Sequence, residues 1–165
     1  MVDAAGVVIG IRLRTLAGDK YAVKGGREGL FLPRALRGGG ALYITEGPTD
    51  CAAMLDLGLD AVGRPSCTGG AHHLVTLIRR LRPREVVIVG DDDDPGRRGA
   101  ESLAVILLAH SVQLRVIYPP PEAKDVRIWK IAGAIAADVE ALVTAAPVRR
   151  LRVRRAGKGT EGGTR

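Results

Sequence analysis

Short apolar runs closed by turn residues and charge, each followed by a helical stretch, organise most of the chain. Leu42 to Thr45, Glu85 to Val89 and Gln113 to Tyr118 are rich in Val, Ile and Leu, which predicts strands buried on both faces of a parallel sheet. Pro48 to Leu57, Ala71 to Leu81 and Pro95 to His110 predict the intervening helices, and Ala61-Val62 a further short strand. Pro119-Pro120-Pro121 then breaks the chain before a last amphipathic helix from about Ala134 to Ala145. Upstream, Val7 to Leu16 and Tyr21 to Lys24 flank Ala17-Gly18-Asp19 and predict a β-hairpin, with Gly25-Gly26 and Gly38-Gly39-Gly40 as joints before the core. Strand and helix alternating in this way predict right-handed crossovers and an α/β fold, a mostly parallel sheet with helices on both faces. The expected organisation is a leading hairpin segment over 1–40, a core domain over 41–147 and a tail over 148–165.

Composition narrows this to one small domain: 165 residues with 46% hydrophobic content can bury one core and not two. Aromatics make up only 3%, so the core rests on aliphatic residues and stacking platforms for single-stranded nucleic acid are scarce. The two cysteines look unpaired and suggest a reducing, cytoplasmic setting. Apolar stretches such as Leu103 to Ala109 are far too short to span a membrane. Net charge is +7, and seven Lys or Arg against one Glu from Val148 onward place +6 of it in the tail. That tail alternates Arg with Leu and Val and then turns Gly-rich. It reads as an arm able to contact phosphates or, equally, as a linker to a downstream domain.

The chemistry gathers in two acidic clusters, each directly behind a strand: Glu46 to Asp50 (EGPTD) and Asp91 to Gly96 (DDDDPG). In an open α/β sheet, ligands bind beyond the carboxyl ends of the strands, which is where both clusters fall. If the second cluster stays extended, Asp91 and Asp93 share one side and Asp92 points away. Pro95 suits a first helical position, which makes Asp94 the expected helix cap rather than a ligand. Glu46 ends its strand and Asp50 sits one helical turn on, near enough to join it. Carboxylates converging in one cleft repel and resist ionisation unless a cation neutralises them, and hard oxygen ligands favour Mg²⁺ or Mn²⁺. A solvated loop that only caps the next helix would explain either cluster alone. Two such strand ends in consecutive units are harder to explain that way.

The E-G-x-x-D of Glu46, Gly47 and Asp50, followed by the D-x-D-x-P-G of Asp91, Asp93, Pro95 and Gly96, resembles the TOPRIM domain, and most closely that of bacterial DnaG-type and phage or plasmid primases. Gly10 to Pro33 is similar to the segment leading into that core in phage-type primases, and Lys124 to Trp129 (KDVRIW) to the segment after its last strand. The likeness spans roughly residues 6 to 145. It implies a Rossmann-like fold, Glu46 as general acid/base or metal contact, Asp91 and Asp93 as metal ligands, Asp50 as the acid closing the first motif, and Asp125 as a further acid near the metals. Arg127 and Ile128 depart from the family's usual small polar residue and acid, which weakens the role of Asp125. With only Cys51, Cys67, His72, His73 and His110, the chain has no C-x-x-C pair for the zinc module through which such primases usually recognise template.

Among the basic residues, Lys24, Arg27 and Arg34 in the leading segment could line a template path, or merely solvate a hairpin. Arg97 and Arg98 could hold nucleotide phosphates or balance the neighbouring aspartates, and Lys124 could meet a triphosphate or pair with the acids. Thr68-Gly69-Gly70 reads more simply as a turn than as a phosphate loop, and His72 and His73 as helix-start residues. The function expected is Mg²⁺- or Mn²⁺-dependent nucleotidyl transfer on single-stranded DNA, as in a primase, with a replicative helicase as possible partner. The same acids could instead direct water in a nuclease, and a non-catalytic DNA-binding module is the reading from another class. A receiver-like phosphoacceptor domain fits less well, because it usually lacks the glutamate-glycine motif.

Overall fold

The computed structural model describes residues 1–111 and 113–150; the expected tail lies outside them from residue 151 onward. A two-stranded antiparallel hairpin, β1 (Arg12–Arg14) and β2 (Lys20–Ala22), precedes a four-stranded parallel sheet. The sheet strands are β3 (Ala41–Glu46), β4 (Ala61–Arg64), β5 (Glu85–Val89) and β6 (Leu114–Ile117), in the order β4-β3-β5-β6. Helices α1 (Gly47–Asp56), α2 (Ala71–Leu81) and α3 (Asp94–Leu107) make the crossovers, and α4 (Val126–Ile131) and α5 (Ala136–Ala145) follow β6. This is the α/β architecture that the alternation of patterns implies.

Side-chain alternation divides the core in two. Leu42, Ile44, Val86 and Ile88 pack with Leu74, Leu77 and Leu103 beneath α2 and α3. Tyr43, Val87, Val89 and Ile117 pack with Met54, Val126, Val139 and Val143 beneath α1, α4 and α5. Both faces of the sheet are therefore dry, which is why its strands read as unbroken apolar runs.

From β3 the chain crosses to β4 on one side, then passes over to β5 on the other. Ile44 pairs with Ile88 in that central contact. The switch in direction opens a crevice between β3 and β5 at their carboxyl ends, just where the two acidic clusters emerge.

Several elements differ from expectation. β4 runs on through Gly63 to Arg64, beyond the two apolar residues that announced it, because it pairs with β3 along its whole length. Gly63 is required there: a Cβ would lie 2.4 Å from the Gly47 carbonyl oxygen. The helix α4 was not signalled by an apolar stripe, being only six residues long. The leading segment joins the sheet directly, through reciprocal Phe31 and Gly63 backbone bonds of 2.9 and 3.0 Å, and Leu30 is completely buried in the core.

Candidate active site

The carboxyl ends of β3 and β5 open into a cleft of about 540 Å³. Its lining brings together Glu46, Asp50 and Asp91, then Lys124, Asp125 and Arg127, and the hairpin residues Arg12, Arg14 and Lys20. Negative charge is thus concentrated where the strands end and positive charge around it, the arrangement expected of a site that takes a cation together with phosphates.

Glu46 is the last residue of β3. Burial, ahead of the nearby Asp93 and Asp50, pushes its carboxyl above the usual range, and the Arg64 guanidinium partly offsets this. Among the described residues nothing donates to the buried Glu46 Oε1. An orphaned buried carboxylate oxygen is costly and marks a group waiting for a proton, an ion or a substrate. Asp91 is the stronger case: burial first, then the charges of Glu46, Asp50, Asp125 and Asp93, push it up to about 7.

The D-x-D segment does not run on as a strand. The backbone bends at Asp92 and Asp93, and Asp93 caps α3, its Oδ1 accepting the Gly96 amide at 2.9 Å. The expectation that Asp94 caps is therefore corrected by one residue. Pro95 occupies the second helical position, where a missing N–H costs as little as at the first. Asp93 Oδ2 faces Lys124 Nζ at 3.1 Å. The Gly96 amide and then Lys124 hold Asp93 below the usual carboxylate range. Asp92 turns to Arg97, whose guanidinium also stacks over Tyr118 with 4.3 Å to the ring centroid.

Asp50 is 6% exposed, and its Oδ1 accepts the Arg127 amide at 3.0 Å, tying α1 to the start of α4. Burial raises its carboxyl, and the Arg127 amide partly counters that. Asp125 caps the same helix by accepting the Ile128 amide at 2.8 Å. Both acids stand in the cleft with one oxygen engaged in holding α4.

The basic residues sort differently from expectation. Lys124 lines the cleft, but Lys24 and Arg27 are exposed outside its lining. Lys24 falls beyond the end of β2, whereas the register Arg14↔Lys20 keeps those two on the paired part of the hairpin that faces the acids. Arg97 is occupied by Asp92 and Tyr118, and Arg98 is exposed on the first turn of α3, close enough to help hold Asp93 ionised.

One residue went unseen in the sequence. Arg64, only 3% exposed, stands opposite Glu46 in the β3–β4 register and donates to the carbonyls of Cys67 at 2.6 Å and Gly69 at 3.2 Å. It anchors the loop whose Pro65 and Ser66 form part of the cleft wall. Its only sequence signal was a charge directly after a strand, which the short Ala61-Val62 reading left in a loop.

The donor set fits a hard divalent cation: its candidate ligating atoms are carboxylate oxygens, burial raises three of the acids, Glu46, Asp50 and Asp91, and Glu46 Oε1 has no partner among the described residues. Among the described residues, no three such groups are close enough together to enclose an ion. An ion held here would therefore take one or two of these carboxylates and complete its shell with water. Cys51 and Cys67 are free thiols, and burial pushes Cys51 up to about 11, so it is inert. No helix among the described residues is long and apolar enough to cross a membrane.

Comparison with known proteins follows the same lines. A DnaG primase catalytic domain bound to single-stranded DNA superposes with a TM-score of 0.66 at 23% identity, covering 90% of this chain and 50% of that one. The Aquifex aeolicus primase comprising zinc-binding and RNA polymerase domains gives 0.68 at 21%, covering 90% and 40%. A DNA primase domain from Pseudomonas aeruginosa gives 0.68 at 20%, covering 90% and 50%. The chain spans about half the length of these structures or less, and at such identities the likeness is one of fold. A search of curated proteins finds no match. The pattern of the Toprim-like family matches residues 43–127, from the middle of β3 to the first turn of α4. That match takes in both acidic strand ends and the Lys124-Asp125 segment, and the chain belongs to the Toprim-like family.

Proposed function

We propose that the chain carries the catalytic site of a primase-type nucleotidyltransferase, joining nucleotides on a single-stranded DNA template. One observation carries the reading. The β3–β5 pairing sets Glu46 and Asp91, both raised first by burial and then by neighbouring carboxylates, in one cleft that the basic hairpin also lines.

In this reading Asp91 and Asp93 hold the ion, with water completing its shell, and Asp50 and Asp125 add negative charge from positions fixed by their bonds to α4. Mg²⁺ or Mn²⁺, when bound, would neutralise the carboxylates and draw charge from the reacting phosphate oxygens. Glu46, raised by burial, is suited to take the proton of an attacking 3′-hydroxyl. Arg12, Arg14 and Lys20 orient the phosphates, and Arg12 Nε is itself buried without a partner among the described residues. The α1 N-terminus has no side-chain cap and opens on the same cleft, where the amides of Gly47 and Thr49 favour anions. Larger parts of the process, including template recognition and any helicase partner, belong to the whole protein of which a primase core is a component.

The test is incubation with single-stranded DNA, labelled nucleotides and Mg²⁺ or Mn²⁺, beside Glu46→Gln and Asp91→Asn. New oligonucleotides lost in both variants support the proposal. Metal-dependent shortening of the DNA would replace it with a nuclease, and Mg²⁺-insensitive binding unaffected by Glu46→Gln would replace it with a binding module.

A further inference from the structure

Lys124 sits on the acid cluster rather than beside it. Its Nζ is 3.1 Å from Asp93 Oδ2, while Asp93 Oδ1 is committed to the Gly96 amide. Oδ2 is thus the oxygen of this carboxylate that remains for a ligand, and an ammonium stands on it. The backbone of Lys124 is fixed. Its carbonyl accepts the Asp92 amide at 2.9 Å, and the next residue caps α4 through the Ile128 amide. The side chain by contrast is 61% exposed, on a four-carbon stem that can swing. Asp93, and behind it Asp91 and Asp125, raise the pKa of the ammonium, so it is fully charged at neutral pH. Of the other nearby cations, Arg97 pairs with Asp92, Arg127 lies 4.0 Å from Asp125, and Arg98 acts on Asp93 only through its charge, without an ion pair among the described residues.

We propose that Lys124 is a built-in counter-ion for the metal site: without an ion its ammonium occupies Asp93 Oδ2, and an arriving divalent cation displaces it into the cleft, where it meets the substrate phosphate. The inference rests on Asp93 being an ion ligand, as in the proposed function. It gives one lysine two states, and couples ion binding to the freeing of a phosphate contact. An ion and a nucleotide would then bind with positive cooperativity, because the first releases the group that the second needs.

The two roles predict effects of opposite sign. Removing the ammonium removes a competitor for Asp93, so Lys124→Met should bind Mn²⁺ more tightly than the wild type, roughly two- to fivefold, as befits an exposed ion pair. The same variant should bind a non-hydrolysable nucleoside triphosphate more weakly in the presence of Mn²⁺. Lys124→Arg keeps a cation at the end of a flexible stem and should restore both values most of the way. The measurement is Mn²⁺ binding by electron paramagnetic resonance, with and without the triphosphate analogue, on the full chain, its Lys124→Met and Lys124→Arg variants and Asp93→Asn. A lysine that only touches phosphate leaves the Mn²⁺ affinity unchanged in Lys124→Met; one that only supports the fold lowers it. Either result, with Asp93→Asn still weakening Mn²⁺, overturns the inference while sparing the metal site. If the wild type takes up no Mn²⁺ at millimolar concentration, the metal site and the inference fall together.

Discussion

Within one cleft the same kind of residue exists in two conditions. At the strand ends, Glu46 and Asp91 are pushed toward the protonated form first by burial and then by neighbouring carboxylates, and among the described residues Glu46 keeps an oxygen with nothing to accept from. At the helix starts, Asp93 and Asp125 accept the amides of Gly96 and Ile128, and Asp93 is held ionised. Asp50 stands between the two conditions, raised by burial yet engaged by the Arg127 amide. An acid that completes a helix stabilises the fold, whereas an acid left without a partner at a strand end destabilises it until a ligand arrives. Counting carboxylates does not separate these. Locating their partners does.

The sharpest way to break this distinction is at the strand ends. Glu46→Gln is expected to lower metal-dependent nucleotide incorporation by roughly 10²- to 10⁴-fold, while the midpoint of thermal unfolding stays level or rises. A matching loss of stability would make Glu46 structural and erase the contrast. An acid engaged by a backbone amide should behave in the opposite sense. Asp50→Ala strands the Arg127 amide and should cost about 2 kcal/mol, a fall in Tm of roughly 4–8 °C. Asp50→Asn retains an acceptor oxygen and should lose much less. Calorimetry on the two variants decides whether the Arg127 bond is what matters.

A smaller effect comes from pH. The folded-state value of Asp91 is raised to about 7 from 3.8, so its proton stabilises the native state fully below the lower value, and that contribution disappears as pH rises through the higher. In EDTA, unfolding scans should show stability declining from about pH 4 to 7 through this group, and Asp91→Asn should remove that part of the decline. With partial exposure discounted, the variant should gain about 1 kcal/mol at pH 8, or roughly 2–4 °C. Mg²⁺ added to the wild type should recover a similar amount. The smallest effect belongs to the hairpin. Arg14→Ala should weaken single-stranded DNA binding by about fivefold, and Lys24→Ala, outside the cleft, by less than about twofold. Fluorescence anisotropy at fixed salt tests the pair, and equal losses would mean that the hairpin binds as a diffuse basic surface.

The helix α2 and the strand β5 are read correctly to the residue from local pattern, because each is a continuous periodic or apolar run bounded by breakers. The end of β4 was not, since Gly63 and Arg64 are strand residues only by virtue of pairing with Thr45 and Glu46. Arg64 was missed for the same reason. Asp91 was legible as a member of a D-x-D pair, but the bend that turns Asp93 into a cap comes from the start of α3, one residue earlier than Pro95 suggested. Lys24 and Arg27 were plausible choices among the basic residues of the leading segment. Which of them faces the acids depends on the packing of the hairpin against the sheet, and no local pattern carries that.

By itself the amino-acid sequence determined the alternation of strand and helix, the dryness of both sheet faces and the placing of two acidic motifs at strand ends, because these follow from periods and residue types within a few positions of each other. The tertiary structure alone decided that β3 lies against β5, that α4 hangs from Asp50, and that Lys124 covers Asp93. Those are pairings between distant segments, settled by how the two faces of the sheet are filled. They determine which carboxylates find a partner and which are left for a ligand.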